Sequence, residues 1–472
     1  MPFFVTSWLH RLNGLQGAER QQQAGDAAKQ VYSHSPLFNQ PSDIDNEFVA
    51  HVVKLQGQYL QKPEEHRFLL MTHSGCCGFG NTLGALESSF ILALLINCTW
   101  VTTSHYMTHF DHPGTTSWNV AGKIPPLWWQ HEQNNSRAFS LGFQTTLAFN
   151  THSFGSNAMN RRLAMEQLRE EGNATFILRE DRAVGVDKFI SWLVSIDPFA
   201  RNTLQALLKV VMTKSMHPSG MEVWAPWKRS DVGEILYLLR PPVVRFLCSR
   251  PASKLRSAIQ ELEDQLMMSS TEVSRDHRTC MPARSTPTND VEHTKGVDRT
   301  LAVQIRTWKD ASSYQSNQSY NHFWPCVAHA ALKLKGLSQR IDGRSRQPRV
   351  MVWLTSDDLP LLVPQFFSAL SALRSSNIYL AAPACYPIPK GSRQAQDSRR
   401  GDVRAIAHWW ALGASDAMVV SGSTYSYSAW LRAWRSGERN YDLDLSPNHL
   451  DSHTPHTFEK ACHSWSSKTK WR

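Results

Sequence analysis

Four polar clusters carry the chemistry open to this sequence. The first is Gly75-Cys76-Cys77-Gly78-Phe79-Gly80-Asn81, between the apolar run 68–72 and residues 82–97, where Leu83, Leu86, Phe90, Leu94 and Leu95 recur at helical spacing. A glycine-rich turn from strand to helix brings backbone N–H groups and the positive end of the helix dipole to an anion. Glycine there lets a ligand approach the chain with no Cβ in the way. Gly78 and Gly80 serve equally as a plain tight turn. The spacing is not the dinucleotide fingerprint and has no Lys-Ser/Thr pair, so neither a dinucleotide site nor a P-loop follows.

The other three clusters lie in the C-terminal half, each after a short apolar run. Gln304-Ile305-Arg306-Thr307-Trp308-Lys309-Asp310 closes the run 301–305, and Arg306 is the first charge beyond it. The planar fork of an arginine at a strand end suits a diphosphate, to which it makes two parallel charge-assisted hydrogen bonds. Asp310 either holds that guanidinium or accepts from a ligand, and a purely structural Arg306–Asp310 pair is the competing reading. Thr355-Ser356-Asp357-Asp358 follows Val352-Trp353-Leu354. Asp358 reads as an N-cap, and Ser356 and Asp357 as candidates for contact with a phosphorylated donor. Ser421-Gly422-Ser423-Thr424-Tyr425-Ser426 follows the run 417–420 that Asp416 begins. Its hydroxyls and N–H groups at a helix start form an anion cradle, with Tyr425 offering a flat face to a base, although serine-rich helix starts are commonplace. Together the set implies departure of a diphosphate stabilised by Arg306 and helix dipoles, without a metal ion. No nucleophile–base–orienter arrangement accompanies it. Asp43-Ile44-Asp45 and Asp442-Leu443-Asp444 have a metal-binding spacing but lie away from any strand end and read as surface.

The elements that must position these groups are legible as alternating patterns. From residue 299 onward, short apolar runs at 301–305, 350–354, 378–381 and 417–420 alternate with helical stretches near 323–334, 361–373 and 403–412 and a helix start near 424. This is the pattern of a parallel sheet with crossover helices. Ligands in such sheets bind beyond the carboxyl ends of the strands, where these clusters fall. The domain boundaries expected are a flexible arm or stem over 1–45, an N-terminal domain over 46–249 carrying the glycine loop, a linker or insertion over 250–298, and a C-terminal domain with its tail over 299–472. Within the linker a short amphipathic helix (Leu255, Ile259, Leu262, Leu266) precedes polar residues.

Composition narrows the classes. The chain has 472 residues, is 41% hydrophobic and carries a net charge of +10, enough apolar material for about two domains. The excess of basic residues favours phosphate-bearing partners but is scattered. No basic run interleaved with aromatics points to nucleic acid. The eight cysteines show neither C-x-x-C nor zinc spacing with histidine, which argues against a structural metal and permits disulfides without requiring them. Sequons at Asn97, Asn134, Asn173 and Asn317 are compatible with a secretory lumen, Asn97 at a buried-looking helix end. No segment approaches the roughly 18 apolar residues of a membrane span. Either the protein is soluble as it stands or the chain lacks an anchor carried by the full gene product.

Gly78-Phe79-Gly80-Asn81, continuing through Leu83-Gly84-Ala85-Leu86-Glu87, resembles the opening motif of the GDP-fucose-dependent fucosyltransferases. Val303-Gln304-Ile305-Arg306 looks most like the plant xyloglucan branch, with glutamine two before the arginine where the protein O-fucosyltransferases usually carry histidine. The stretch from Ala405 to Tyr427 is similar to the family's closing donor motif, with Tyr425 where phenylalanine is usual. The resemblance implies an α/β, GT-B-like enzyme with two Rossmann-like domains facing a central cleft. It also implies inverting, metal-independent transfer of fucose from GDP-fucose to a glycan, a cell-wall or secreted polysaccharide. By the same likeness Arg306 grips the β-phosphate as the catalytic group. Gly78, Gly80 and Asn81 lie near the sugar and phosphates, Ser423 and Thr424 contact the diphosphate, and Asp416 and Tyr425 lie near the guanosine. No catalytic base is assigned; Asp310 and His73 are the candidates, each equally served by a surface or capping role. The resemblance further implies a Golgi glycoprotein of cell-wall biogenesis that needs no cofactor. Cys76-Cys77, the insertion before Arg299 and the missing anchor depart from the plant enzymes. The alternatives are a protein O-fucosyltransferase and a non-catalytic GDP-sugar-binding relative.

Overall fold

Arg67–Thr72 forms the first described strand, β1, of the computed structural model, which describes residues 48, 52, 67–72, 78–102, 104–111, 145–150, 174–179, 183–212, 231–271, 297–307, 320, 323–342, 348–383, 399–421, 423–433, 445–447 and 462–464. The apolar stretch behind it becomes α1, Phe79–Leu95, nearly all of whose residues are buried. A helix apolar on every side must be enclosed on every side. Its serines are satisfied in place: Ser89 Oγ donates to Leu86 O and accepts from Trp100 Nε1 at 3.0 Å. Helix α1 stops at Asn97, which takes the left-handed conformation (φ 57°) that asparagine tolerates. There Cys98 N–H donates to Ala93 O and Asn97 N–H to Leu94 O. Asn97 is exposed, so the expectation of a buried site for this sequon is corrected. The other three sequons lie outside the described residues.

The chain returns as β2, Thr99–Thr102, parallel to β1. A 3-10 turn, His105–His109, leads to the short β3, Phe110–Asp111. Strands β4, Thr145–Asn150, and β5, Ala174–Arg179, complete an all-parallel sheet of order β2-β1-β5-β4. Three helices follow: α2, Ala183–Ile196, α3, Pro198–Met212, and α4, Asp231–Leu247. Strand β6, Arg250–Pro251, pairs antiparallel with β3. Since β2 lies on one side of β1 and β5 on the other, the strand order reverses at β1, the strand that leads to the glycine loop.

The chain divides at Ala252/Ser253 into two compact units. The amphipathic helix expected in the linker is α5, Ser253–Thr271, and belongs to the second unit. That unit is built on strands β7, Arg299–Ile305, and β8, Val350–Ser356, then β9, Ile378–Ala381, and β10, Ala417–Val420. Two short strands, β11, Leu445–Pro447, and β12, Cys462–Ser464, close the edge. The order is β12-β11-β10-β7-β8-β9, parallel except for β12. Both sheet faces are covered. Helices α6, Phe323–Asp342, and α7, Leu359–Ala369, bury Leu301, Val303, Val352 and Leu354 on one of them.

On the other face, α8, Arg399–Ala414, brings Trp409 and His408 into the core and packs against α5 and α9, Thr424–Ala433. Trp353 Nε1 donates to Ser415 Oγ at 3.0 Å, and Thr355 Oγ1 shares a 2.8 Å hydrogen bond with His408 Nδ1. Gly413 permits the close approach of α8 to α9: a Cβ there would stand 2.8 Å from the Ala429 carbonyl oxygen. The unit is therefore α/β with a dominantly parallel sheet, as the alternating pattern led us to expect. No helix among the described residues is long and apolar enough to cross a membrane.

Candidate functional site

In the second unit β7 runs first, β8 and β9 follow on one side, and β10 and β11 take the other. The direction reverses between β7 and β10, and the crevice beyond their carboxyl ends is where such sheets take ligands. Arg306 is the residue immediately after β7 and is exposed. Ser421 is the residue immediately after β10.

Side chains join the main-chain ladder in holding the backbone at this edge. Arg306 N–H donates to Ser421 Oγ at 3.0 Å, and Ser421 Oγ donates to Gln304 Oε1 at 3.0 Å. Ser421 N–H donates in turn to the Gln304 carbonyl at 2.8 Å. On the β8 side, Asp357 Oδ1 accepts from Thr307 N–H at 2.9 Å and from Thr307 Oγ1 at 3.1 Å. Ser356 Oγ accepts from Asp358 N–H at 3.0 Å. The structure thus places Ser356 and Asp357 beside Arg306, at the carboxyl end of the neighbouring strand. Asp358 occupies the N-cap position of α7, but its side chain makes no capping bond, which corrects the expected cap.

Ser423 precedes α9 and forms the cap expected of serine at a helix start. Its Oγ accepts from Ser426 N–H at 3.2 Å, and Ser426 Oγ lies 2.7 Å from it. Ser423 is buried, whereas Thr424, in the first turn, is exposed. The positive end of the α9 dipole follows directly on β10, at the carboxyl edge of the sheet where Arg306 also stands. Tyr425 OH donates to the Ala405 carbonyl on α8 at 2.6 Å, and burial of that hydroxyl pushes its pKa well above the ordinary phenol value. Its polar end therefore serves the α8–α9 junction.

Asp416 is not brought together with this set. It precedes β10, so in a parallel sheet it stands at the amino edge, about 16 Å along the strand from Ser421. There its Oδ1 pairs with Arg299 Nη1 at 3.0 Å, and its Oδ2 accepts from Thr300 N–H at 2.7 Å and from Thr300 Oγ1 at 3.2 Å. The expected place near a guanosine gives way to a structural one at the start of β7.

In the first unit, Gly78 is the N-cap of α1 with φ −70° and ψ 168°, ordinary extended backbone. Its carbonyl accepts from the N–H groups of Asn81 and Thr82 at 3.1 and 3.2 Å. A Cβ at Gly78 would meet nothing within 4 Å, so the described fold demands glycine there neither for conformation nor for packing. Gly80 is buried and Asn81 half-buried in the first turn. Asp310, His73 and both D-x-D pairs lie outside the described residues. No group of three or more metal-ligating side chains occurs among the described residues.

Gln304 and Thr307 are members of this edge that the reading of strand ends left unassigned. Gln304 shares a strand face with Arg306 through the two-residue alternation, a signal the sequence does hold.

No protein-family model and no curated protein sequence matches the chain. Among solved structures it is similar to a point mutant of Arabidopsis thaliana FUT1 in complex with GDP, at 13% identity and a TM-score of 0.46, over 84% of this chain and 79% of that one. It is also similar to NodZ α-1,6-fucosyltransferase co-crystallized with GDP, at 13% identity and a TM-score of 0.29, over 77% of this chain and 92% of the other. The same enzyme soaked with GDP-fucose gives 13% identity, a TM-score of 0.28, and coverage of 78% and 92%. At such identity and superposition, function must be read from the residues of the site.

Proposed function

We propose that the chain is an inverting, metal-independent fucosyltransferase that moves fucose from GDP-fucose to a glycan acceptor, with its two units as the halves of a GT-B enzyme. The observation that carries this reading is the placement of Arg306, an exposed guanidinium at the strand-order reversal of a parallel sheet, on a backbone held from both neighbouring strands. When the bond between the fucose C1 and the diphosphate oxygen breaks, negative charge gathers on the departing GDP. A bidentate arginine and the positive end of the α9 dipole meet that charge where another transferase would use a metal ion. In this reading Ser423 and Thr424 present the helix end to the diphosphate. Asp357 and Ser356 stiffen the Arg306 edge, and Gly78, Gly80 and Asn81, at the start of α1, take the sugar side of the donor. An acceptor hydroxyl attacking C1 from the face opposite GDP, its proton lost to solvent, inverts that centre.

The test is GDP release from GDP-fucose with a panel of oligosaccharides and of folded protein domains. Release with an oligosaccharide, unaffected by EDTA, is the expected result. Transfer to a folded domain alone would instead mark a protein O-fucosyltransferase, and strong EDTA inhibition reversed by Mn²⁺ another class of transferase. In the same preparation GDP should raise the melting temperature more than UDP, ADP or NAD. At a hundred times its Kd a ligand stabilises by about 2.7 kcal/mol.

We further propose that the chain matures in an oxidising lumen, that of the Golgi. Cys326, fully buried on α6, is disulfide-bonded, and such bonds persist in secretory compartments. Cys98 and Cys248 of the first unit are buried thiols. A reductant should therefore destabilise the protein by about 2–4 kcal/mol. Denaturation curves that coincide with and without reductant would argue against the bond and the compartment.

A further inference from the structure

We propose that Gln304 is a positioning residue for Arg306, acting through the hydroxyl of Ser421; this inference rests on the transferase reading above. Pairing of β7 with β10 ends at Gln304 and Val420, two residues before Arg306 on the β7 side. Beyond that point a side chain of the β10 side takes up the contact: the Ser421 hydroxyl accepts from the Arg306 N–H at 3.0 Å.

A serine hydroxyl rotates and can turn its proton toward any acceptor. Here Gln304, 4% exposed, offers Oε1 at 3.0 Å and takes that proton. The Ser421 lone pairs are then left facing Arg306. The chain of bonds has one direction: Arg306 N–H to Ser421 Oγ, and Ser421 O–H to Gln304 Oε1. Removing the glutamine oxygen frees the hydroxyl to turn, and the Arg306 N–H then competes with solvent for its acceptor.

The consequence falls on the guanidinium. A catalytic group must be held within about 0.5 Å and about 10–20° of its productive geometry. A long side chain amplifies any rotation of the backbone that carries it. On the other flank Asp357 holds the N–H and the hydroxyl of Thr307, while Ser421 holds the N–H of Arg306 itself. The Gln304–Ser421 pair therefore acts on the guanidinium through the Arg306 main chain.

The test uses Gln304→Met, similar in length and without an acceptor oxygen, Ser421→Ala, and the double variant, each assayed beside the wild type. Each single variant should lower kcat by about tenfold, with KM for GDP-fucose within about twofold of wild type. The double variant should be no slower than the slower single variant, because both break one chain of bonds. Ser421→Thr, which keeps the hydroxyl, should recover most of the kcat lost in Ser421→Ala. Should Gln304→Met fail to fold, the comparison of alanine with threonine at 421 carries the test alone. Unchanged kcat, additive losses, or a raised KM with kcat intact would overturn the proposal, the last by placing Gln304 on the bound donor. A wild type that transfers no fucose overturns the functional reading and this inference with it, whereas an active wild type with indifferent variants overturns the inference alone.

Discussion

Arg306→Ala is expected to lower fucose transfer by about 10³-fold, close to 4 kcal/mol of transition-state stabilisation, while the melting temperature stays at the wild-type value. The size follows from where the charge goes. GDP-fucose already carries its phosphate charges in the ground state, and bond breaking adds charge at the β-phosphate oxygen, so a cation aimed there favours the transition state over the bound substrate. The fold should tolerate the change because Arg306 is exposed and the hydrogen bond that fixes its main chain comes from its N–H, which alanine keeps. Arg306→Lys should fall between the two, retaining charge but losing the two-pronged geometry. Initial rates over a range of GDP-fucose, with a thermal melt of each variant, check this. An alanine variant within about threefold of wild type would remove Arg306 from the chemistry.

The strands around that arginine were legible because parallel strands are covered on both faces and so read as unbroken apolar runs. The runs at 378–381 and 417–420 coincide with β9 and β10, and the run at 301–305 falls short of β7 by two residues at its amino end. Helix α4 was not legible. Pro241-Pro242 sits within it, and a proline pair in sequence signals the end of a helix, yet packing of buried Leu236, Leu239, Val243 and Phe246 carries the helix through. The short strands β3, β6, β11 and β12, of two or three residues each, are too brief to show a period.

The site was legible to the extent that polarity begins where a strand ends. Arg306 and Ser421 are each the first polar residue after an apolar run, and both stand at the carboxyl edge. Asp416 precedes its run, and a residue before a parallel strand belongs at the amino edge, which is where Arg299 and Thr300 hold it. The clamp on Arg306 was hidden for another reason. Which side chain of β10 faces Gln304 depends on the register between strands distant in sequence, and no local pattern encodes that alignment. Tyr425 shows the same limit: its ring looks available in sequence, but packing of α9 on α8 delivers its hydroxyl to the Ala405 carbonyl.

The largest effect expected on stability lies in the first unit, at Glu87. This carboxyl sits in the middle of α1, 1% exposed, and neither of its oxygens has a hydrogen-bond partner. Burial drives its pKa from 4.5 to about 8; Arg240 of α4 opposes the rise and Asp187 of α2 reinforces it. Arg240 is itself paired with Asp187, which also accepts from Ser88 Oγ at 2.7 Å, so its charge is largely answered elsewhere. The unfolded chain loses the Glu87 proton near pH 4.5, and the folded chain keeps it until about pH 8. Folding therefore takes up a proton between those values. The stability contributed is complete below pH 4.5 and is lost as the pH rises through about 8. At about 1.4 kcal/mol per pH unit the whole interval amounts to about 5 kcal/mol. Glu87→Gln, neutral at every pH and of the same shape, should abolish that slope, so that its advantage over wild type grows from pH 5 to pH 9. Glu87→Leu should do the same and also remove the unpartnered oxygens. Urea denaturation at pH 5, 7 and 9 measures this directly. Parallel stability curves for wild type and Glu87→Gln would mean that the folded protein already carries Glu87 ionised, with Arg240 as its true counter-ion.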